Sequence, residues 1–327
     1  PGEVALAVKA EHLPPARPLA EDAALPAPGW AAAQPPMLAR VLIPGSERDE
    51  VRLSTALARL AETDPAIMVT AEEETGQPLL RCQGPQHLRR LIALLEGDFA
   101  LTLDTRAPRV AWRETISRPV ELRYRHRKQS GGAGQFADVA LRLTPLPRGS
   151  GFEFNEVVKG GAVPRNYIPS VEEGARDAMA RGPLGFAVVD VGVTLSDGKH
   201  HSVDSSDHAF RTAGRMGTRE GLEQAGAVLL QGIERVDIHV PSALSGGLVS
   251  VISNLKGQVL GFDRDPGARG WDLFRAALPA TGLDALSTAL ATATQGTAWF
   301  EARFDHYEEV YGREAEAVSK ARLAEIA

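Results

Sequence analysis

Apolar positions along the chain fall into two repeating patterns, one with the period of a helix and one with that of a strand. The run Met37 to Ile43 predicts a strand, and Leu53, Leu57 and Leu60 then lay a stripe along a helix that stops near Pro65. Ile67 to Thr70 and Leu79 to Cys82 predict two strands around the turn-forming Thr75, Gly76 and Gln77. A helix with Leu88, Leu91, Ile92 and Leu95 on one face follows, then a strand at Phe99 to Leu103. The same order returns near the C-terminus: strand Ile233 to Val240, a helix carrying Leu248, Ile252 and Leu255, strands at Gln258 to Phe262 and Trp271 to Leu278, a helix with Leu283, Leu286 and Leu290, and strand Trp299 to Phe304. Two βαββαβ units of ferredoxin-like type therefore flank the middle of the chain. The repeat is one of architecture and says little about function.

The middle reads differently, with a basic alternating strand, a glycine-rich turn, further strands and two helices. The first helix is expected at about Ser170 to Arg181. The second is expected at about Ser205 to Gln224, behind the N-cap residues Asp204, Ser205 and Ser206, with Ala209, Phe210, Ala213, Met216 and Leu222 on its buried face. Seven prolines among alanines make residues 11–36 an extended connector, preceded by a strand-like alternation at Glu3 to Val8. The expected divisions are 1–36 for the end of a preceding β domain plus linker, 37–112 for the first ferredoxin-like domain, 113–231 for the middle domain, 232–310 for the second ferredoxin-like domain and 311–327 for a C-terminal amphipathic helix.

Composition narrows the function classes. A length of 327 residues suits two or three domains, and 43% hydrophobic with 24% charged residues suits ordinary globular cores. The net charge of -6 excludes a molecule whose whole surface is a polyanion-binding glove, so any nucleic-acid contact must be local. Cys82 is the only cysteine, which excludes an internal disulfide and any multi-cysteine metal site and agrees with a reducing compartment. No stretch is apolar enough to span a bilayer and no secretory signal is visible, so a cytoplasmic location is expected without membrane partners. The opening on Pro1 reads as that of a fragment.

Candidate chemistry concentrates in the middle. Arg113 to Gln135 holds six basic residues against Glu114 and Glu121. In a strand, Arg123, Arg125 and Arg127 share one face while Tyr124, His126 and Lys128 share the other, which suits either a row of guanidiniums tracking a phosphate backbone or a solvated edge strand. The row leads into Ser130-Gly131-Gly132-Ala133-Gly134-Gln135, where glycines free backbone N–H groups and permit close approach. It matches no phosphate-binding loop of the G-x-x-x-x-G-K-[ST] type, and none occurs elsewhere. A second loop contains Lys199, His200, His201 and Ser202. With Asp204 and His208 its histidines raise the alternative of a metal-dependent hydrolase, although adjacent histidines in an extended loop point apart. No nucleophile–base constellation is readable, so no catalytic residue is assigned.

Arg127-Lys128-Gln129-Ser130-Gly131-Gly132-Ala133-Gly134-Gln135-Phe136 resembles the opening of domain IV of bacterial elongation factor G. Collinear with it, Gly160-Gly161-Ala162-Val163-Pro164, Tyr167-Ile168-Pro169-Ser170-Val171, Gly182-Pro183-Leu184, Val188-Val189-Asp190-Val191 and Val203-Asp204-Ser205-Ser206 resemble the same domain. Leu60-Ala61-Glu62-Thr63-Asp64-Pro65 resembles domain III, and Thr294-Gln295-Gly296 with His306-Tyr307-Glu308-Glu309-Val310 resembles domain V. The resemblance implies an elongated multi-domain α+β chain in which two ferredoxin-like domains flank a ribosomal-protein-like βαβ domain, with the first residues corresponding to the end of domain II.

That family is a ribosome-dependent GTPase that moves tRNA and mRNA and, with a recycling factor, splits ribosomes. The resemblance therefore implies no cofactor in this chain, with GTP and magnesium held by a domain N-terminal to it. It implies as partners the ribosome, its RNA, the tRNA and mRNA of the decoding region, and the ribosome recycling factor. Two tip loops, Ser130 to Gln135 and Lys199 to Ser202, would enter the decoding region, with His201 at the family's tip histidine, and Lys256 would be an RNA contact of domain V. Departures point to a divergent paralogue: Ala133 stands where the family usually has Arg, and Leu255-Lys256-Gly257 stands for Arg-Arg-Gly. The alternative of a stand-alone RNA-binding scaffold without a GTPase stays open.

Overall fold

The computed structural model of the chain describes residues 33–72, 76–129 and 134–326. The strand read at Glu3 to Val8, nearly all of the proline-rich connector and the first tip-loop residues Ser130 to Ala133 lie outside the described residues. The chain divides into two compact units. The first holds the described residues up to Arg109 together with Arg235–Arg303, and the second holds Val110–Glu234 together with the described residues from Phe304.

The first unit opens with β1 (Leu38–Pro44), α1 (Arg48–Thr63), β2 (Met68–Ala71), β3 (Pro78–Cys82), α2 (Pro85–Phe99) and β4 (Leu103–Arg106). Its sheet runs β2-β3-β1-β4, the order of a split βαβ fold. Leu53, Leu57 and Leu60 of α1 and Leu91 and Leu95 of α2 meet Leu38, Leu42, Leu80 and Cys82 in one core. The strand expected at Phe99 to Leu103 begins later. Helix α2 uses Phe99 as its last residue, Ala100 turns left-handed at φ 50°, and Leu101 drops into the core with its N–H on Leu95 O at 3.2 Å. The apolar run is thus divided between a helix end and a turn, and an apolar run of this length does not reveal that division.

The second unit contains β5 (Arg113–Ile116), β6 (Val120–Lys128), β7 (Gln135–Pro145), β8 (Phe152–Glu156), α3 (Ile168–Met179), β9 (Ala187–Val188), β10 (Val191–Lys199) and α4 (Asp207–Gln224). Its four-stranded sheet has the order β6-β7-β10-β8, antiparallel except for the parallel pair β10 and β8. Ala137, Val139, Leu141 and Leu143 of β7 and Val191, Val193 and Leu195 of β10 form a buried face against Val171 and Ala175 of α3 and Phe210 and Ala213 of α4. The two helices start a little from where the sequence suggested, at Ile168 and Asp207, with Ser206 as the N-cap of α4 through Ala209 N–H to Oγ at 3.2 Å.

Glycines explain how closely these layers pack. A Cβ at Gly174 would lie 2.0 Å from Arg211 O, and one at Gly214 would lie 2.5 Å from Val171 O, so α3 and α4 touch backbone to backbone. Gly217 and Gly221, on the same helix, lie directly over Tyr124, Leu141 and Leu143 of the sheet.

β11 (Ala227–Pro241) starts in the second unit, where Ala227–Leu230 pair with β5, and ends in the first. It is followed by α5 (Leu248–Asn254), β12 (Gln258–Arg264), β13 (Trp271–Pro279), α6 (Leu283–Ala293), β14 (Trp299–Val310) and α7 (Gly312–Glu325). The pairings β12-β13-β11 and β14 on β11 repeat the strand order of the first sheet, over a core of Val236, Ile238, Val240, Ile252, Phe274, Leu286 and Phe300. Within the first unit, Arg40 of β1 forms an ion pair with Asp284 of α6. β14 runs six residues past the strand expected to end at Phe304, so His306 to Val310 are in strand, with Val310 packed beside Phe186 and Leu229. Among the described residues, no helix is long and apolar enough to cross a membrane.

Glu114, 1% exposed on β5, accepts N–H bonds from Leu184 and Phe186, both at 2.9 Å. Burial pushes its carboxyl above the ordinary range, and the backbone donors only partly offset that. A raised folded-state value means stability that is present below the ordinary glutamate pKa of about 4.3 and lost as pH rises through the raised value. The stability of the wild type relative to Glu114→Gln should therefore fall as pH rises from acid to neutral, measured by urea unfolding; a gap that widens instead would contradict this. Gly174→Ala must push α3 from α4 and should cost about 1–3 kcal/mol or more in the same experiment. A neutral result would show that the two helices can separate without loss.

Candidate functional site: a two-loop tip on an arginine-faced sheet

β6 alternates as an amphipathic strand, with Val120, Leu122 and Tyr124 on the core and Glu121, Arg123, Arg125 and Arg127 exposed on the opposite face. Directly across β7, Arg125 faces Asp138 and Arg123 faces Ala140. Asp138 is fully buried, and its two oxygens receive Arg123 Nε at 2.6 Å and Arg125 Nε at 2.9 Å. Arg123 also reaches Asp197 on β10 at 3.1 Å, over the small Ala140 that is in register with both. That contact depends on an irregularity. Leu195 pairs with Leu141 and Asp197 with Ala140, so one extra residue in β10 moves Asp197 off the core face. The next residue, Gly198, then faces the core, where a Cβ would lie 2.4 Å from Asp138 O and from Val163 Cγ2. Two members of the arginine row are thus already engaged, whereas Arg127 and Lys128 have no side-chain partner among the described residues.

The described ends of the two tip loops are tied together. Phe136 N–H donates to Asp204 O at 2.8 Å, and Ser205 Oγ donates to Phe136 O at 2.7 Å. The same Oγ accepts His201 N–H at 2.9 Å, and Ser205 N–H returns to His201 O at 3.3 Å. His201 Nδ1 lies within hydrogen-bond reach of Val203 N at 3.3 Å and Asp204 N at 3.1 Å, and 3.4 Å from Asp204 Oδ2. Its ring tilts against Phe136 at 6.2 Å between centroids. Gly134 leaves room for the Asp204 carboxylate, which would lie 2.5 Å from a Cβ there. Gln135 Oε1 meets His126 Nε2 at 2.9 Å, and His200 Nδ1 lies 3.4 Å from Ala162 O. Beneath the tie, Tyr167 OH donates to Ser205 O at 3.2 Å, and the Tyr167 ring stacks on Phe210 at 4.8 Å.

The fold therefore brings Gly134 and Gln135 to the foot of the loop carrying Lys199, His200, His201 and Ser202, with Arg127 and Lys128 at the end of β6. Lys256 belongs to the other unit, where it is exposed in a left-handed conformation, φ 58°, after α5. Two partners escaped the sequence reading: Asp138, whose signal was a lone acid opposite an arginine strand, and Ser205, expected only as a cap. His200, His201, Asp204 and His208 do not form a group of three able to hold a metal ion, and no other such group occurs among the described residues. The residues present do not fit GTP with magnesium either, since the sequence has no G-x-x-x-x-G-K-[ST] loop to cradle phosphates.

Two split βαβ sheets and, between them in sequence, a domain in which two loop ends are tied together define a multi-domain α+β protein. Residues 34–107 match the family model for elongation factor G, domain III; residues 108–226 match elongation factor G, domain IV; and residues 228–318 match the elongation factor G C-terminus. The chain is 39% identical over 276 residues to an elongation factor G-like protein of a Synechocystis species, covering 84% of this chain and 41% of that protein. It is 41% identical over 276 residues to elongation factor G of a Jannaschia species, covering 84% of this chain and 39% of that one. A crystal structure of a Thermus thermophilus protein superposes with a TM-score of 0.79 at 32% identity, covering 90% of this chain and 44% of that chain. The chain belongs to the elongation factor G family. It spans about two fifths of the length of these curated relatives.

Ser205→Ala removes the hydroxyl that joins the loops, at a cost of about 1 kcal/mol. It should lower unfolding free energy by that amount in urea and speed amide exchange at His201. Unchanged exchange at His201 would show that the tie is not what orders the second loop.

Proposed function

We propose that this chain is the ribosome-contacting portion of an elongation factor G-like GTPase, acting by placing its two-loop tip in the decoding region while tRNA and mRNA move or ribosomes are recycled. The observation that carries this reading is the tie at Phe136, Asp204 and Ser205, which sets two adjoining loops at one end of a packed α/β layer within residues matching domain IV. A tip that must occupy a narrow RNA-lined space gains from having its second loop and the described end of its first held before contact, because ordering them on binding would cost conformational entropy. Ser130 to Gln135 and Lys199 to Ser202 are the proposed contacts, with backbone N–H groups and His201 meeting phosphate, ribose or base edges. Lys256 is proposed as a separate RNA contact in the C-terminal domain.

GTP and magnesium belong, in this reading, to a nucleotide domain outside these residues. Hydrolysis of GTP there would supply the free energy for directional movement and magnesium would offset phosphate charge, while the residues described here would bind and orient. The ribosome recycling factor is a proposed partner only for the splitting role. The location proposed is the cytoplasm, where ribosomes work.

Gln135→Ala and His201→Ala, each in the full-length factor, should slow ribosome-dependent translocation or splitting by about tenfold or more, through the loss of one or two hydrogen bonds in the transition state. Nucleotide binding should stay unchanged, and unfolding free energy should fall by no more than about 1 kcal/mol per variant for the lost contacts to His126 or to Val203 and Asp204. Wild-type rates in both variants would remove the tip from the mechanism.

A further inference from the structure

The buried carboxylate of Asp138 is the least expected feature of the arginine-faced sheet. It is fully buried, lies on the face opposite the hydrophobic core, and is held by two guanidiniums, each bound through Nε. Binding through Nε leaves the Nη amino groups pointing elsewhere. Arg125 places no Nη on any described partner, and Arg123 commits only Nη1, to Asp197. Arg123 and Arg125 remain 42% and 57% exposed, so the engaged side chains still present donors to solvent. Two residues apart on a strand, they repeat at about 7 Å, comparable to the spacing of neighbouring phosphates along a nucleic-acid strand. Arg127, without a described partner, continues the row at the same interval toward the tip.

We propose that Asp138 is a positioning residue that holds Arg123 and Arg125 as a preset two-guanidinium clamp for consecutive phosphates of an RNA strand leading away from the tip. This rests on the reading that the tip contacts RNA, and it adds the substrate chemistry and the device that organises it. Free arginine side chains lose rotamer entropy when they bind phosphate; a buried carboxylate that already fixes both Nε groups removes much of that loss. The remaining planar N–H pairs suit phosphate oxygens. Asp197 acts as a competitor, occupying one Nη of Arg123 and lowering the local positive charge. Together Arg123, Arg125, Asp138 and Asp197 are formally neutral, so net charge alone would give this patch no attraction for RNA; orientation has to supply it.

That sets up a test by sign. Asp138→Asn removes a negative charge, and if Asp138 acted only through its charge the variant would bind RNA more tightly. If it positions the guanidiniums, the variant binds more weakly despite the added net positive charge. The measurement is fluorescence anisotropy of a labelled RNA hairpin, and of the same RNA as an unpaired strand, with the whole chain over a range of KCl concentrations. The expected result is about fivefold weaker binding for Asp138→Asn. For Arg123→Gln with Arg125→Gln, the log–log salt slope should fall by about 1 to 2, on the scale of about 0.7 to 0.9 for each phosphate no longer neutralised. Asp197→Asn lies on the exposed surface and keeps the test independent of folding: by freeing Arg123 it should tighten binding about two- to threefold. Tighter binding by a folded Asp138→Asn, or an unchanged salt slope in the double arginine variant, overturns the proposal. If Asp138→Asn does not fold, the arginine and Asp197 variants decide alone. Loss of function in the Gln135→Ala and His201→Ala factors alongside an unchanged arginine slope would overturn the clamp and leave the tip standing; wild-type behaviour in both sets would end both.

Discussion

The hydrogen bonds among Phe136, His201, Asp204 and Ser205 are the constraint on which the geometry of the candidate site depends. The two loops belong to different parts of the chain, one inside a hairpin and the other between a strand and a helix. Without the cross-tie the second would be a surface loop bearing its own ordering entropy. Ser205 supplies the tie from the residue preceding the N-cap of α4, so the second loop inherits the rigidity of an 18-residue helix. The helix in turn is fixed to the sheet and to its neighbouring helix at close range by Gly214, Gly217 and Gly221. Interior glycines weaken an isolated helix, typically by about 1 kcal/mol each. Here that cost is set against contacts no larger residue would permit, so the loss of helix propensity and the gain in packing describe one design.

The open face of the sheet follows the same logic. One extra residue in β10 moves Asp197 from the side where Leu195 is buried to the side where Arg123 lies, and sends Gly198 inward. Had the pairing continued without the irregularity, a charged aspartate would point into the apolar core, at a cost of several kcal/mol. The bulge is therefore what makes an Asp-Gly pair tolerable at this point of a core strand, and it creates the acidic competitor beside the arginine pair.

How much of this was legible follows from which signals are local. The helices and most strands were readable because their apolar spacing depends only on near neighbours: Leu53, Leu57 and Leu60 share a face in any context that buries them. The strand order of both ferredoxin-like sheets followed from element order and the short connections between elements. Phe99 to Leu103 was misread because apolar residues ending a helix and beginning a strand look alike in one dimension. The arginine side of β6 was visible from alternation alone. Asp138 was not, because its partners lie 13 and 15 residues away and only the hairpin register brings them opposite. The bulge was invisible for the same reason, since a single residue reverses the facing of everything beyond it.

Net charge is a poor guide to what such a protein can touch. The chain carries -6 overall, yet at physiological salt the screening length is about 8 Å, so a polyanion at the tip responds to the few side chains within that distance. There the relevant groups are Arg127 and Lys128, with no described partner, followed by two arginines whose charge is balanced by Asp138 and Asp197. A field that strengthens toward the tip and fades behind it would draw a phosphate strand to the end of the domain without holding it along the whole sheet. If the tip enters and leaves an RNA surface as proposed, weak attraction over most of its length with aligned donors at a few points limits both misplaced binding and slow release. A net acidic chain is then compatible with the RNA contacts proposed at the tip and at Lys256, because screening leaves each of them to the field of its own neighbours.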